Sequence, residues 1–183
     1  MKIILTQHSV SKLATLSILA LFMAAPSLAT ANEIYYGASV ASIGLTDDKG
    51  PIGKISFTTL YGRLGTKWNE NIAGEFRLGL ASSKEKYSDQ ILEIEGFGGV
   101  YMKFGTPVSD TFYPYAIIGR TRGKLSMSNN NSKSRHTASD TSFGVGLDVE
   151  ISDSIAINLE YIEYIDKPVR DFAGFSLGFA FNL

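Results

Sequence analysis

The sequence predicts an all-β fold: an eight-stranded antiparallel up-and-down transmembrane β-barrel, preceded by a cleavable signal peptide. Three observations predict it. Apolar side chains recur at every second position in segment after segment, with glycine, serine or charge between them, which is the period of a strand with one oily face. Connections alternate between short turns and longer polar stretches, as in barrels with turns at one membrane face and loops at the other. The chain also ends on such a strand, GFSLGFAFNL, in which Phe175, Leu177, Phe179, Phe181 and Leu183 share a face opposite Gly174, Ser176, Gly178, Ala180 and Asn182. A terminal strand that apolar must be covered by protein or by lipid.

Composition narrows the classes. The 183 residues carry a formal net charge of -1, so no nucleic-acid partner is expected. With no cysteine, disulfides, thiolate metal sites and cysteine nucleophiles are excluded. The 18 glycines, 9 tyrosines and 11 phenylalanines beside only 5 prolines suit many strands with tight turns. Lys2 and Lys12 precede an apolar run from Leu13 to Ala25, and Ala29-Thr30-Ala31 places small residues where a signal peptidase reads. Cleavage is expected after Ala31, with Ser27-Leu28-Ala29 as the alternative, which divides the chain into a signal peptide at 1–31 and a barrel domain at 32–183. The apolar run is shorter than the ~20 residues of a spanning helix.

The elements follow in order. Glu33 to Gly44 alternates Ile34, Tyr36, Ala38 and Val40 against Tyr35, Gly37, Ser39 and Ala41, and Leu45 to Lys54 reads as a loop. A second strand, Ile55 to Trp68, sets Leu64, Thr66 and Trp68 outward and Arg63, Gly65 and Lys67 inward, with a bulge expected where alternation fails around Phe57 to Gly62. After the turn Asn69-Glu70-Asn71, Ile72, Phe76, Leu78 and Leu80 oppose Ala73, Glu75, Arg77 and Gly79. Ser82 to Gln90 is a polar loop, and then Leu92, Ile94, Val100, Met102 and Phe104 oppose Glu93, Glu95, Phe97, Tyr101 and Lys103. The fifth strand, Tyr113 to Met127, is expected with Tyr115, Ile117, Gly119 and Thr121 outward and Ala116, Ile118, Arg120, Arg122 and Lys124 inward. Ser128 to Asp140 is the most polar stretch and is expected as a mobile loop. Phe143, Val145, Leu147, Val149 and Ile151 oppose Gly144, Gly146, Asp148 and Glu150; Ile155, Ile157, Leu159 and Tyr161 oppose Ala156, Asn158 and Glu160; Asp166 to Asp171 loops into the last strand. Glu163 breaks the scheme, since alternation aims it at lipid.

A sheet enters hydrocarbon only when closure leaves no edge, so the last strand is expected to pair with the first. Aromatic girdles are expected from Tyr36, Trp68, Phe104 and Phe112 at one interface and Tyr87, Phe143, Tyr161 and Phe172 at the other. Eight strands leave room for side chains rather than a water column. The register therefore implies a lumenal ion-pair network of Arg63, Glu75, Arg77, Glu93, Glu95, Lys103, Arg120, Arg122, Asp148, Glu150 and Glu160, with Glu75, Arg77, Arg120, Glu150 and Glu160 at its core. It fills the barrel structurally rather than forming a gated pore.

Tyr35-Tyr36-Gly37-Ala38-Ser39, Gly65-Thr66-Lys67-Trp68-Asn69-Glu70-Asn71, Tyr113-Pro114-Tyr115, Gly144-Val145-Gly146-Leu147, Leu159-Glu160-Tyr161 and Gly178-Phe179-Ala180-Phe181 together carry a resemblance. Over nearly the whole mature chain the sequence resembles the small outer-membrane β-barrel family, of the OmpA-transmembrane, OmpX, attachment-invasion and opacity-protein type. The resemblance implies residence in the cell outer membrane, insertion by the barrel-assembly machinery, contact with outer-membrane lipid and lipopolysaccharide, and recognition of host or surface ligands through loops. A monomer is expected. The end at Leu183, two places past Phe181, departs from an aromatic terminus. Catalysis is not expected: of the two histidines, His8 leaves with the leader, and His136-Thr137-Ala138 lacks the His-x-Ser of a family lipid A deacylase. One mature histidine leaves no metal cluster, and no cofactor is expected. The alternative is a soluble lipocalin-like barrel binding a small apolar ligand, which would place the charges outside and the oily residues within.

Overall fold

The computed structural model describes residues 33–47, 53–81, 84–87, 90–128, 133–167 and 170–183. The expected signal peptide and both candidate cleavage sites lie outside these residues. The described chain forms β1 (Glu33–Asp47), β2 (Gly53–Lys67), β3 (Ile72–Ala81), β4 (Lys84–Tyr87), β5 (Gln90–Gly105), β6 (Phe112–Ser128), β7 (Lys133–Ser152), β8 (Ile155–Lys167) and β9 (Arg170–Asn182). Every pairing is antiparallel, and all but two join strands adjacent in the chain. β3 and β4 both pair with β5, from Ile72↔Phe104 to Gly79↔Phe97 and from Lys84↔Glu93 to Tyr87↔Gln90, so together they fill one position in the wall. β1 pairs with β9 from Tyr35↔Asn182 to Asp47↔Arg170, and the Leu183 amide donates to the Ile34 carbonyl at 2.9 Å. The result is a closed up-and-down barrel with eight wall positions.

Turn chemistry sets the lower end. Asn69 Oδ1 accepts from the amides of Asn71 at 2.9 Å and Ile72 at 2.8 Å, an Asx turn that hands β2 to β3. Ser109 Oγ accepts from the amides of Thr111 and Phe112, each at 3.2 Å, ahead of β6. At the other end the strands run further than polarity suggested. The expected loop Ser128 to Asp140 is a ribbon in part, since Lys133 to Asp140 pairs with Thr121 to Ser128. Likewise β4 lies within the expected loop Ser82 to Gln90, and β8 and β9 pair out to Lys167↔Arg170. Serine and threonine suit a pleated backbone, and outside hydrocarbon nothing requires a strand's side chains to be apolar.

The polarity of the wall is inverted relative to a soluble barrel. Phe175 is 70 % exposed and Leu80 67 %, whereas Glu75 and Arg77 are 0 % exposed. A continuous outer band includes Val40, Leu60, Phe76, Val145, Leu159 and Phe179. At the lower interface Tyr36, Trp68, Phe104 and Phe112 are exposed, and at the upper one Phe143 and Tyr161. Phe172 departs from the expected girdle: it packs against the buried lumenal cluster that includes Tyr164 and Phe97, on the opposite face of β9 from Phe175. The side chain of Tyr87 lies outside the described ones.

Two expectations about register are corrected. β2 carries no bulge; its pairing with β1 is unbroken from Lys67 to Gly53, with Phe57, Thr59, Tyr61 and Arg63 buried and Thr58, Leu60, Gly62 and Leu64 exposed. Alternation only looked poor because Phe57 and Tyr61 are apolar residues that face the lumen. On β6 the faces are exchanged: Tyr115, Ile117 and Thr121 are buried, while Ile118, Arg120, Arg122 and Lys124 are exposed. Both faces of this strand mix apolar residues with polar ones, so charge alone pointed the wrong way. Real bulges interrupt the pairing at Glu95, at Ile151 and at Tyr164, the last beside Glu163, which stands on the outer face between buried Ile162 and Tyr164.

Inside, ring and glycine meet across neighbouring strands. Tyr35, opposite Gly65, lies so close that a Cβ there would fall 2.2 Å from its ring, and Tyr115 covers Gly146 in the same way at 2.3 Å. Phe97 over Gly79 and Tyr101 over Gly119 repeat the device. Aromatic rings laid over glycines fill a narrow lumen without parting the strands and pin their register. Gly65→Val should therefore cost about 1–3 kcal/mol by overpacking, read as a lowered urea midpoint, whereas Gly62→Ala on the outer face should leave that midpoint in place. Phe179→Asp should weaken membrane assembly, by less than the ~2–4 kcal/mol that an arginine costs at the bilayer midplane; an unchanged yield of heat-modifiable barrel would contradict the outward facing of β9.

Candidate functional site

The lumen is built from one inward set per strand. β3 supplies Glu75 and Arg77 two positions apart, so alternation sends both to the same face and the Arg77 Nε donates to Glu75 Oε1. β8 supplies Glu160, which takes a two-pronged bond from Arg77, Nη1 to Oε2 at 2.7 Å and Nη2 to Oε1 at 2.8 Å. From β2, Arg63 reaches Glu160 at 3.5 Å and Glu75 at 3.9 Å. Its Nη2 donates to Ser39 Oγ of β1 at 2.6 Å and to Asn158 Oδ1 of β8. β5 and β7 contribute Lys103 and Asp148, paired at 2.8 Å.

Hydroxyls take up the remaining carboxylate lone pairs. Tyr35 donates to Glu75 Oε2 at 2.9 Å, Tyr61 to Glu160 Oε2 at 3.1 Å, and Tyr115 of β6 to Glu160 Oε1. Ser176 of β9 meets Tyr61 at 2.9 Å, so every position in the wall touches the network. The cations also lie over rings, Arg77 4.8 Å from the Tyr101 centroid and Lys103 3.8 Å from that of Tyr115. Arg63, Arg77 and Lys103 stand against Glu75, Asp148 and Glu160, three charges of each sign. Above this layer a chain of hydroxyls runs from Tyr101 through Thr121 to Ser142 in two steps of 2.6 Å, and Ser142 donates to the Tyr164 carbonyl at 2.7 Å.

The sequence-expected network is thus divided. Arg63, Glu75, Arg77, Lys103, Asp148 and Glu160 come together. Glu150 faces inward but is half-buried near the lower mouth, outside the core assigned to it, and forms no ion pair among the described residues. Arg120 and Arg122 are outside the barrel, as the exchanged faces of β6 require. Glu95 is outside too, because the bulge between Ile94 and Gly96 breaks its alternation with Phe97. Beyond that bulge Glu93 pairs with Ser126, on the same face of β6 as Lys124, and so stands above the network. Sequence reasoning missed the tyrosines and Asn158 as network members; for Tyr61 and Asn158 the signal was alternation in step with Arg63 and Glu160 on their own strands.

A second charged group occupies the outward face of the β6–β7 ribbon, above the apolar band. Glu95 binds Arg135 at 2.9 Å, Lys133 at 3.0 Å and Lys124 at 3.1 Å. Hydrogen bonds from Arg135, Lys133 and Lys124 hold its carboxyl down to about 2, so the cluster stays ionised in all but strongly acid medium. Arg120 donates to Ser139 Oγ at 3.3 Å, and Arg122 has no carboxylate partner among the described residues. On the same ribbon Ser134 Oγ lies 3.2 Å from His136 Nε2, but both are exposed, and no described carboxylate is hydrogen-bonded to the ring.

Removing one member of a buried ion pair strands the other, at a cost of about 3–5 kcal/mol. Glu160→Ala, which leaves Arg77 and Arg63 to share Glu75 alone, should lower stability by about that amount and reduce the temperature of the heat-dependent gel shift. Glu160→Gln, which keeps the hydrogen bonds, should lose less; equal stability of all three proteins would contradict the network as a stabilising unit.

The family described as outer membrane protein beta-barrel domain matches residues 14–182. No curated protein sequence matches the chain at a significant level. Among solved structures, Ail, the attachment invasion locus protein of Yersinia pestis in complex with the heparin analogue sucrose octasulfate, is 12 % identical over 84 % of this chain and 100 % of its own, with a TM-score of 0.66. Neisserial surface protein A is 15 % identical over 81 % and 96 %, with a TM-score of 0.64. The N-terminal β-barrel domain of Pseudomonas aeruginosa OprF is 11 % identical over 80 % and 97 %, with a TM-score of 0.56. At these identities the likeness is one of fold. The closed barrel, its inverted polarity and the family match agree: this chain belongs to the outer membrane protein β-barrel domain family and resides in the outer membrane.

Proposed function

We propose that this protein is a non-enzymatic surface-interaction barrel that acts through its extracellular ribbon and conducts at most weakly. One observation carries the reading: the lumen is closed by a charge-balanced layer reaching every wall position, while unbalanced charge is carried outside. On the outward face of the ribbon Arg120, Arg122, Lys124, Lys133 and Arg135 outnumber Glu93 and Glu95. A strip so basic suits a polyanionic partner on a host or neighbouring surface. Ail offers a parallel, having been solved with a heparin analogue. Catalysis is disfavoured because His136 and Ser134 are both exposed and no carboxylate among the described residues orients the ring.

The remaining assignments belong to the same proposal. The signal peptide at 1–31 is removed after Ala31, the barrel-assembly machinery engages the apolar face of β9, and the barrel works as a monomer in contact with outer-membrane lipid and lipopolysaccharide. Two measurements test the functional reading. In planar bilayers the protein should give no stable conductance steps, and large, ion-selective steps would overturn the plug. On immobilised heparin it should elute at higher salt than Lys133→Gln/Arg135→Gln; identical elution of the two would remove the ribbon as the binding surface.

A further inference from the structure

The outer wall carries a furrow that neither the plug nor the ribbon tip explains. Leu78 of β3 faces Gly98 of β5, which faces Arg122 of β6, and Gly96 faces Lys124. At Gly98 the Leu78 side chain occupies the place of a Cβ, but at Gly96 β5 offers no side chain, and a groove of about 1000 Å³ opens in the wall, floored by Gly62 and Gly96, flanked by Leu60, Leu78 and Leu80, and ending on Arg122, Lys124 and the Glu95 that Lys124 binds. At Gly96 an added Cβ would lie 3.5 Å from Leu80 Cδ2, so the floor is at contact distance from its bank.

The groove also has a direction. Leu78 is the seventh residue of β3 counted from the lower turn, and Arg122, in the same row, is the eleventh of β6. Strand tilt therefore carries the row upward, from apolar side chains that need hydrocarbon to cations that need headgroups. On β6 the change falls between Ile118, inside the apolar band, and Arg120 above it. Arg122 has no carboxylate partner among the described residues, and Lys124 shares Glu95 with two other cations.

We propose that this furrow seats one phosphorylated glycolipid of the external leaflet, an acyl chain lying over Gly96 against the leucines and a phosphate held between Arg122 and Lys124. The loop end of the barrel faces the external leaflet because the start of β1 and the end of β9 lie together at the opposite rim, with the short turns. A guanidinium beside an ammonium at the top of an apolar groove matches a phosphate attached to a lipid chain. The assignment rests on the outer-membrane reading above but not on heparin binding by Lys133 and Arg135.

The test uses the protein folded in detergent micelles, its folding checked by the heat-dependent gel shift. It is mixed in turn with diphosphorylated lipid A, dephosphorylated lipid A and phosphatidylglycerol, and retained lipid is counted by native mass spectrometry. The wild type should keep a single diphosphorylated lipid A about tenfold better than either of the other two, the scale of charge-assisted hydrogen bonds. Arg122→Gln/Lys124→Gln and Gly96→Leu should each lose about that factor, and Lys67→Gln at the lower mouth should not. Equal retention of the dephosphorylated form, equal retention of phosphatidylglycerol, or wild-type retention by both furrow variants would overturn the site. Should a variant fail to fold, the three-lipid comparison on the wild type decides alone. Heparin elution reads the ribbon tip separately, so either reading can fail while the other stands.

Discussion

A backbone amide in hydrocarbon has no water to turn to, and its only adequate partner is another backbone group. That constraint makes the β1–β9 seam the feature on which the molecule depends. Pairing from Tyr35↔Asn182 to Asp47↔Arg170 removes the last two edges of the sheet at once. Once the cylinder is closed, the period of two in each strand forces a division: alternate residues meet lipid and the others meet one another. The exposure of Phe175 and Leu177 and the burial of Ser176 and Gly178 are one statement read on two faces.

The inner face then has to satisfy its own polarity in very little space. Charges held away from water are costly unless paired and fully hydrogen-bonded. Arg77 meets this demand through Glu75 and Glu160, and Glu160 in turn accepts from Tyr61 and Tyr115. The aromatic residues have a double use here. Their rings cover glycines on adjacent strands, and their hydroxyls reach into the charged layer, so packing and electrostatics depend on the same side chains. The charged layer and the register of the wall therefore stabilise each other.

Above the apolar band the constraint relaxes, and the chain uses the freedom. The β6–β7 ribbon extends past the membrane with polar residues on its outer face, and Glu95 collects three cations that would be untenable a few residues lower. The same relaxation explains why charge misled the reading of β6. Inside the band an arginine has to face the lumen, whereas Arg120 and Arg122, just beyond it, are free to face outward among headgroups.

How far the sequence could be read follows from these limits. Period-two alternation in Ile34 to Val40, Phe76 to Leu80 and Phe175 to Phe181 determined the barrel, its closure and its inverted polarity, because a lipid-facing wall admits only apolar or small side chains. The inward facing of Arg63, Glu75, Arg77 and Glu160 was legible too, since alternation holds at each of these positions. Only the tertiary structure decided where alternation breaks, as at Glu95, and which face of β6 turns inward. It alone brought Tyr61 and Tyr115, far apart in the chain, onto the Glu160 carboxylate, and Asn158 onto Asp148. The physical reason is that alternation defines two faces of a strand but not which is inner; that choice is made by neighbours across the sheet, through rings that need glycines and charges that need opposite charges.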